Sequence, residues 1–306
     1  MAKTLKIGFL PIIDHLILGL TKNKIDNKLE DGADIELVQK FGWNEVGDAI
    51  MNGSIDMAFM LAPYAMDLYH TKQNIKLLLL SHRDGSIIVT NKAANINNVQ
   101  DFKGKTVLIP YQASMHHVIF HKMLQSEGLS LGMGMDVMTE VVAPGQIPMM
   151  IEYDQDGMIA GYIVAEPFGT AVVNAGLGNV LKLSKDVMPS HPCCCVVARD
   201  EVIAEHPETV QALISSFVKS GLEVKSDREG TIKTAISFLN QPEAVVRAIL
   251  EDPKERVSTD RLLPVLEELD AAQNYLLETV TMPAISGKID MGKFVDLSFA
   301  KAAGAK

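Results

Sequence analysis

The chain has 306 residues, of which 47% are hydrophobic and 22% charged. That is the composition of a folded protein rather than a disordered one, and the length exceeds what one hydrophobic core usually supports, so two domains are expected. A formal net charge of −10 argues against nucleic-acid or anionic-membrane partners, which attract basic surfaces; an anion held in a local site remains compatible with it.

No run reaches the roughly 18 to 20 apolar residues that span a bilayer, so membrane insertion is not expected. The start of the chain, from Met1 to Leu10, runs straight into a strand pattern without the architecture of a signal peptide. A cytoplasmic location follows if Met1 is the native start, and a periplasmic or cell-surface one if an export signal has been removed.

In chain order, residues 6–10 read as a strand closed by Pro11. Asp14 is placed to cap a helix carrying Leu16, Ile17 and Leu20 on one side. Strands follow at 35–39 and 55–61, a helix at 45–52 between them, a helix at 65–72 and a strand at 75–80. A polar, turn-rich stretch over 91–105 leads to a second unit. There 106–109 is a strand stopped by Pro110, and Ser114 opens a helix to residue 125 with Met115, Val118, Ile119 and Met123 at helical spacing. Strands at 137–142, 158–165 and 180–183 complete it. Beyond Arg199 the pattern is helical, over 207–219, 231–239, 242–250 and 261–278. Alternating strands and helices predict mainly parallel sheets flanked by helices.

One segment occurs twice. Gly53 to Pro63 and Gly157 to Pro167 have equal length, and each carries isoleucine third (Ile55, Ile159), runs through an apolar strand and ends at a proline. Val38 and Val142 stand at the same distance ahead of the two glycines. Two equivalent α/β units predict two similar lobes with a ligand cleft between them. The lobes are expected at residues 1–88 with 197–306, and at 89–196, with 86–90 and 194–198 as the crossovers.

Ligands of open α/β sheets bind beyond the carboxyl ends of the strands. That rule selects Asp14 and His15, then Trp43, then Pro63 and Tyr64; in the second unit it selects Tyr111, Gln112 and Ser114, then Gln146, then Glu166. Trp43 offers either a core anchor or a ligand-facing wall. Ser114 reads as a simple N-cap or as part of an oxyanion cradle with the N–H groups of its helix. Gln112 and Gln146 supply amides. Glu166, between an apolar strand and a proline, requires a polar partner or cation, unless it caps the next helix. These loops contain neither lysine nor arginine, so an anion there would be held by dipoles and neutral donors.

Nucleotide and hydrolase motifs are absent: no Gly-x-Gly-x-x-Gly follows a strand, and there is no Walker loop or Gly-x-Ser-x-Gly elbow. His117 and His121 share a helical face beside His116, but without a third ligand in sequence a surface or half-buried role is simpler. The three cysteines, Cys193, Cys194 and Cys195, are consecutive. Neighbouring strand residues point to opposite faces, which excludes a disulfide framework. They read as small buried strand residues, with a metal or redox role as the alternative. No cofactor is expected.

Five stretches carry a family likeness: Gly8 to His15, Gly53 to Ala58, Asp101 to Lys105, Glu166-Pro167-Phe168, and Asp200 to Glu208. Together they resemble the nitrate/sulfonate/taurine/bicarbonate family of ABC-transporter solute-binding proteins over nearly the whole chain. The resemblance implies a two-lobed periplasmic-binding-protein-like fold of type II, two crossover hinge strands, closure on one small solute, and an ABC permease as partner. A monomer without catalytic activity is expected. The same superfamily contains enzymes that make the thiamine pyrimidine from pyridoxal phosphate, and their cysteine-rich run resembles Cys193-Cys194-Cys195 in form and position. Here Val196-Val197 follow, where the synthases' run has a further cysteine. A synthase-like enzyme and a cytoplasmic ligand-sensing module are the alternative readings.

Overall fold

The structure, a computed structural model, describes residues 4–25, 33–280 and 283–306; Met1, on which the reading of the chain start depends, lies outside them. Twelve strands are described: β1 (Thr4–Phe9), β2 (Asp34–Gln39), β3 (Met57–Leu61), β4 (Ile75–Leu80), β5 (Arg83–Asp84), β6 (Ser86–Asn91), β7 (Thr106–Ile109), β8 (Met138–Val141), β9 (Ile159–Ala165), β10 (Gly178–Leu183), β11 (Cys194–Arg199) and β12 (Val257–Ser258). They form two five-stranded sheets and one short ribbon, β12–β5.

The sheets have one plan. The first runs β2-β1-β3-β11-β4 and the second, read from its other edge, β8-β7-β9-β6-β10. In each the first three strands are parallel and the fourth is antiparallel to both its neighbours. The duplicated segments therefore become the central strands β3 and β9. Every residue of β3 is buried, as is all of β9 after Ile159. That explains why their sequences are continuous apolar runs rather than alternating ones.

The chain passes between sheets a few residues away from the expected crossovers. Residues 86–91 belong wholly to the second sheet and 194–199 wholly to the first. The connecting stretches are 81–85 and 184–193. Helices cover both sheets. After β11 come Asp200–Glu205, Pro207–Ser226, Arg228–Leu239 and Glu243–Leu250, and Leu266–Glu278 begins five residues later than its periodicity suggested. The long helix Pro207–Ser226 buries Leu213, Ile214 and Phe217 with Leu5, Ile7 and Phe59 of the first sheet.

Two local expectations need correction. Asp14 does not cap a helix: it lies inside a 3-10 turn, Ile13–His15, and is fully buried. Trp43 is not a loop residue either, because the helix Trp43–Asn52 begins at it after an extended Gly42. In both cases the turn is tighter than the sequence pattern implied, and the polar or aromatic side chain is pulled inward.

The glycines that open the two repeats both have left-handed backbone, φ 79° at Gly53 and 68° at Gly157. Their surroundings differ. A Cβ at Gly53 would press on the movable guanidinium of Arg199, whereas one at Gly157 would meet the backbone oxygen of Ala93 at 2.5 Å. Left-handed backbone alone costs a non-glycine residue roughly 1–2 kcal/mol. Gly53→Ala is expected to lose about that much in urea unfolding and Gly157→Ala distinctly more; equal losses would show that Ala93 yields freely.

Candidate functional site

The carboxyl ends of the two sheets' parallel strands meet. Ile13, just after β1, donates its N–H to the carbonyl of Glu166, just after β9, at 2.8 Å. Tyr111 Oη donates to Asn44 Oδ1 at 2.8 Å, and the Tyr64 and Tyr111 rings lie 4.5 Å apart. Burial and the neighbouring Tyr111 push the Tyr64 hydroxyl well above its usual range, so it stays protonated. Glu166 is fully buried; it accepts from the N–H and Oγ1 of Thr170 at 2.9 and 2.7 Å and pairs with Arg256, which also holds Asp252 at 2.6 Å. The acid thus has a cation partner, supplied by the segment ahead of β12 rather than by any strand-end loop. The Glu166–Pro167 bond is cis.

His15 packs edge-on against Trp43 and Phe59, at 5.9 and 5.4 Å between ring centres, with Nδ1 at the backbone of Leu10. Burial, reinforced by nearby His82, lowers its pKa to about 3. Its Nε2 and the Trp43 Nε1 are buried without a hydrogen-bond partner.

The remaining predicted residues divide. Pro63 is buried near the start of the helix Ala62–Lys72. Ser114 is an N-cap: Oγ accepts from His117 N–H at 3.1 Å and donates to the Tyr111 carbonyl at 2.6 Å. Gln112 lines a separate cavity of about 270 Å³ with His117, Leu131, Thr139 and Ala284. Gln146 is exposed. The structure therefore gathers Asp14, His15, Trp43, Tyr64, Tyr111 and Glu166 at or beside the junction, whereas Gln112 and Gln146 are exposed.

Beneath the junction the two crossovers run side by side. Ser81 N–H bonds the Cys194 carbonyl at 3.0 Å, and Asp84 N–H bonds the His191 carbonyl at 3.1 Å. Buried Arg83 reaches the carbonyls of Ser190 and Arg261 and the carboxylate of Glu268. Ser86 Oγ lies 3.0 Å from His116 Nε2, and Asp84 lies 3.2 Å from His191 Nδ1.

Here sequence reasoning missed His82; the three cysteines are buried and free, as expected, but two of them face one partner. Cys193 precedes the strand, so the pleat does not separate it from Cys194; their sulfurs lie 4.0 and 3.8 Å from the same oxygen of Asp14. His82 Nε2 is 3.2 Å from that oxygen. Burial lowers the His82 pKa, but the Asp14 carboxylate outweighs it and pushes it up to about 10. A hydrogen bond from Cys194, with help from His82, pulls the Cys193 thiol down to about 6 against its burial. Burial pushes Cys194 well up.

Residues 2–239 match the model of the NMT1-like family. The chain belongs to the NMT1-like family. Among curated relatives, the nitrate/nitrite binding protein NrtA of Nostoc sp. is 24% identical over 235 residues, 70% of this chain and 52% of its own. The nitrate import ATP-binding protein NrtC of Synechocystis sp. is 25% identical over 233 residues, 71% of this chain and 34% of its own. This NMT1-like chain thus spans about a third to a half of these relatives. Among solved structures, a ligand-binding component of an ABC-type import system from Staphylococcus aureus, with zinc bound, superposes with TM-score 0.86 at 25% identity, over 98% of this chain and 99% of that one. The periplasmic nitrate-binding protein NrtA of Synechocystis PCC 6803 shares the fold at TM-score 0.83 and 17% identity, over 99% and 88%. The alkanesulfonate-binding protein SsuA of Xanthomonas axonopodis, bound to MOPS, does so at 0.78 and 17%, over 96% and 98%.

The histidines of this NMT1-like chain make acid stability predictable. Burial lowers the pKa of His116 to about 3, with His191 and His82 adding to the effect, and burial lowers His117 to about 4. The unfolded chain protonates both near pH 6.5, so it binds more protons below that value. Their contribution to stability is complete above about pH 6.5 and is lost as pH falls toward 3–4. In urea unfolding between pH 6.5 and 4.5, His116→Gln should reduce the slope by about 1.4 kcal/mol per pH unit; an unchanged slope would mean that His116 carries a proton in the fold. At pH 7, Glu166→Gln is expected to cost about 1–3 kcal/mol, because Arg256 loses its buried carboxylate partner but keeps Asp252.

Proposed function

We propose that this chain is the solute-binding component of an ABC-type import system and closes its two lobes on one small solute. The observation that carries the reading is the likeness to a ligand-binding component of such a system over 98% of this chain and 99% of that one, together with the meeting of strand ends at Ile13, Asn44, Tyr111 and Glu166. In this reading the second lobe follows the strands within residues 86–183 and the first is built from the strands on either side of that span. Closure is the signal, since a permease distinguishes closed lobes from open ones.

The solute class is a small oxyanion or oxyanionic organic molecule, as in the relatives named for nitrate and alkanesulfonate. His15, held neutral, and Trp43 present unpartnered ring nitrogens. Uncharged polar groups of this kind hold an anion by hydrogen bonds rather than by a salt bridge. The protein works outside the cytoplasmic membrane as a monomer that delivers its solute to a permease. Among the described residues no helix is long and apolar enough to cross a membrane. The function is binding without catalysis.

Trp43 is the only tryptophan, so solute binding beside His15 should change its fluorescence. Isothermal titration against nitrate, bicarbonate, alkanesulfonates and thiamine precursors is expected to give one site for one class. The same ligand should shift Trp43 emission, and Trp43→Phe should abolish the optical signal while weakening binding. No heat with any of these ligands, combined with an imine absorbance band on adding pyridoxal phosphate, would replace the binding reading with the synthase-like one.

A further inference from the structure

Asp14, beside the strand-end junction, forms with His82, Cys193 and Cys194 a buried group that the solute contacts proposed above, His15 and Trp43, leave out. All four side chains are fully buried, and one donor atom from each lies within 4.8 Å of the other three. Asp14 Oδ2 is 3.2 Å from His82 Nε2, 3.8 Å from Cys194 Sγ and 4.0 Å from Cys193 Sγ. In a tetrahedral site with metal–ligand bonds of about 2.0–2.3 Å, donor atoms stand roughly 3.3–3.8 Å apart. Asp14 is therefore already at nearly that separation from the other three donors. Two further atoms of the set, Asp14 Oδ1 and His82 Nδ1, are buried without a hydrogen-bond partner. Both flank Gly85, where a Cβ would meet them at 2.8 and 3.0 Å.

We propose that Asp14, His82, Cys193 and Cys194 bind one thiophilic divalent metal ion of the zinc class. Two thiolates, an imidazole and a carboxylate make a borderline-soft donor set that suits zinc; magnesium and calcium take oxygen donors instead. Four protein donors in a fully buried set leave no coordination position for substrate, which makes the site structural rather than catalytic. Binding requires the ligands to be deprotonated, so the thiols and the His82 ring release protons to solvent. Deprotonation frees the lone pair of His82 Nε2, which lies 3.2 Å from the Cys194 nitrogen, for the metal.

The donors come from three segments: the turn after β1, the crossover 81–85, and the end of the returning crossover. One ion clamps both crossovers to the loop that carries His15. Metal occupancy therefore stiffens the hinge and sets how far the lobes can separate. Cys195, the next residue on β11, has no part in the site.

The test uses the full chain, stripped by a chelator under reducing conditions and titrated with cobalt(II) alone. One equivalent is expected to produce a thiolate-to-cobalt charge-transfer band and the intense visible bands of tetrahedral coordination, both lost on adding one equivalent of zinc(II). Cys193→Ser and Cys194→Ser should each weaken zinc binding by more than about 100-fold, since even outer-shell changes cost 10–100-fold; Cys195→Ser should leave it unchanged. X-ray absorption of the zinc-loaded parent chain needs no variant to fold, and should give two sulfurs at about 2.3 Å and two lighter donors at about 2.0 Å. A pale octahedral cobalt spectrum, a zinc shell without sulfur, or equal loss in Cys195→Ser overturns the proposal. None of these readouts involves the solute, so solute titration on the same preparation separates failure here from failure of the transport reading.

Discussion

The pairing of two short stretches, 81–85 and 190–194, is the constraint on which the rest of the molecule depends. They are the facing parts of the two connections between the sheets, and apart from half-buried Ser190 they are buried, so their polar backbone must be satisfied by protein. Each supplies the other's partners: Ser81 bonds Cys194, Asp84 bonds His191, and Arg83 ties the first stretch to Ser190 in the second. Leaving one such buried group unpaired costs about 1–3 kcal/mol. Motion between the sheets must therefore keep this ladder largely intact, and the loops beyond the strands, one held by Ile13 to Glu166, move about it.

Much of the scaffold was legible because it is written in local patterns. Apolar runs bounded by glycine and proline marked β3 and β9, and the repeat survived because both copies need a glycine at left-handed φ and a buried strand. The fourth strand of each sheet was harder. The segments 86–90 and 194–198 read as the crossovers themselves, because nothing local says which sheet claims β6 and β11; antiparallel pairing with distant strands decides it.

The candidate junction was legible at the level of loops and less so at the level of side chains. Strand-end reasoning reached His15, Trp43, Tyr111 and Glu166. It missed Arg256, because its contact with Glu166 joins residues 90 apart and its own segment is an ordinary charged turn. His82 was passed over as a single polar residue after a strand. The cysteines were judged as three pleated residues, when Cys193, following Pro192, stands outside the pleat. Environment then divides the histidines: His82 beside Asp14 is pushed toward the charged form, while His15 and His116, without a carboxylate partner, are held neutral. Residue type gave no hint of that division.

The strand order also bears on how the polypeptide assembles during synthesis. The second sheet draws all its strands from residues 86–183, so it can close as soon as that stretch leaves the ribosome. In the first sheet β11 lies between β3 and β4. Until residue 199 has emerged, β4 has no neighbour and β3 has an open edge. The half made first must therefore wait for the half made second, with the hydrophobic strand 57–61 exposed to chaperones and to other nascent chains in the interval.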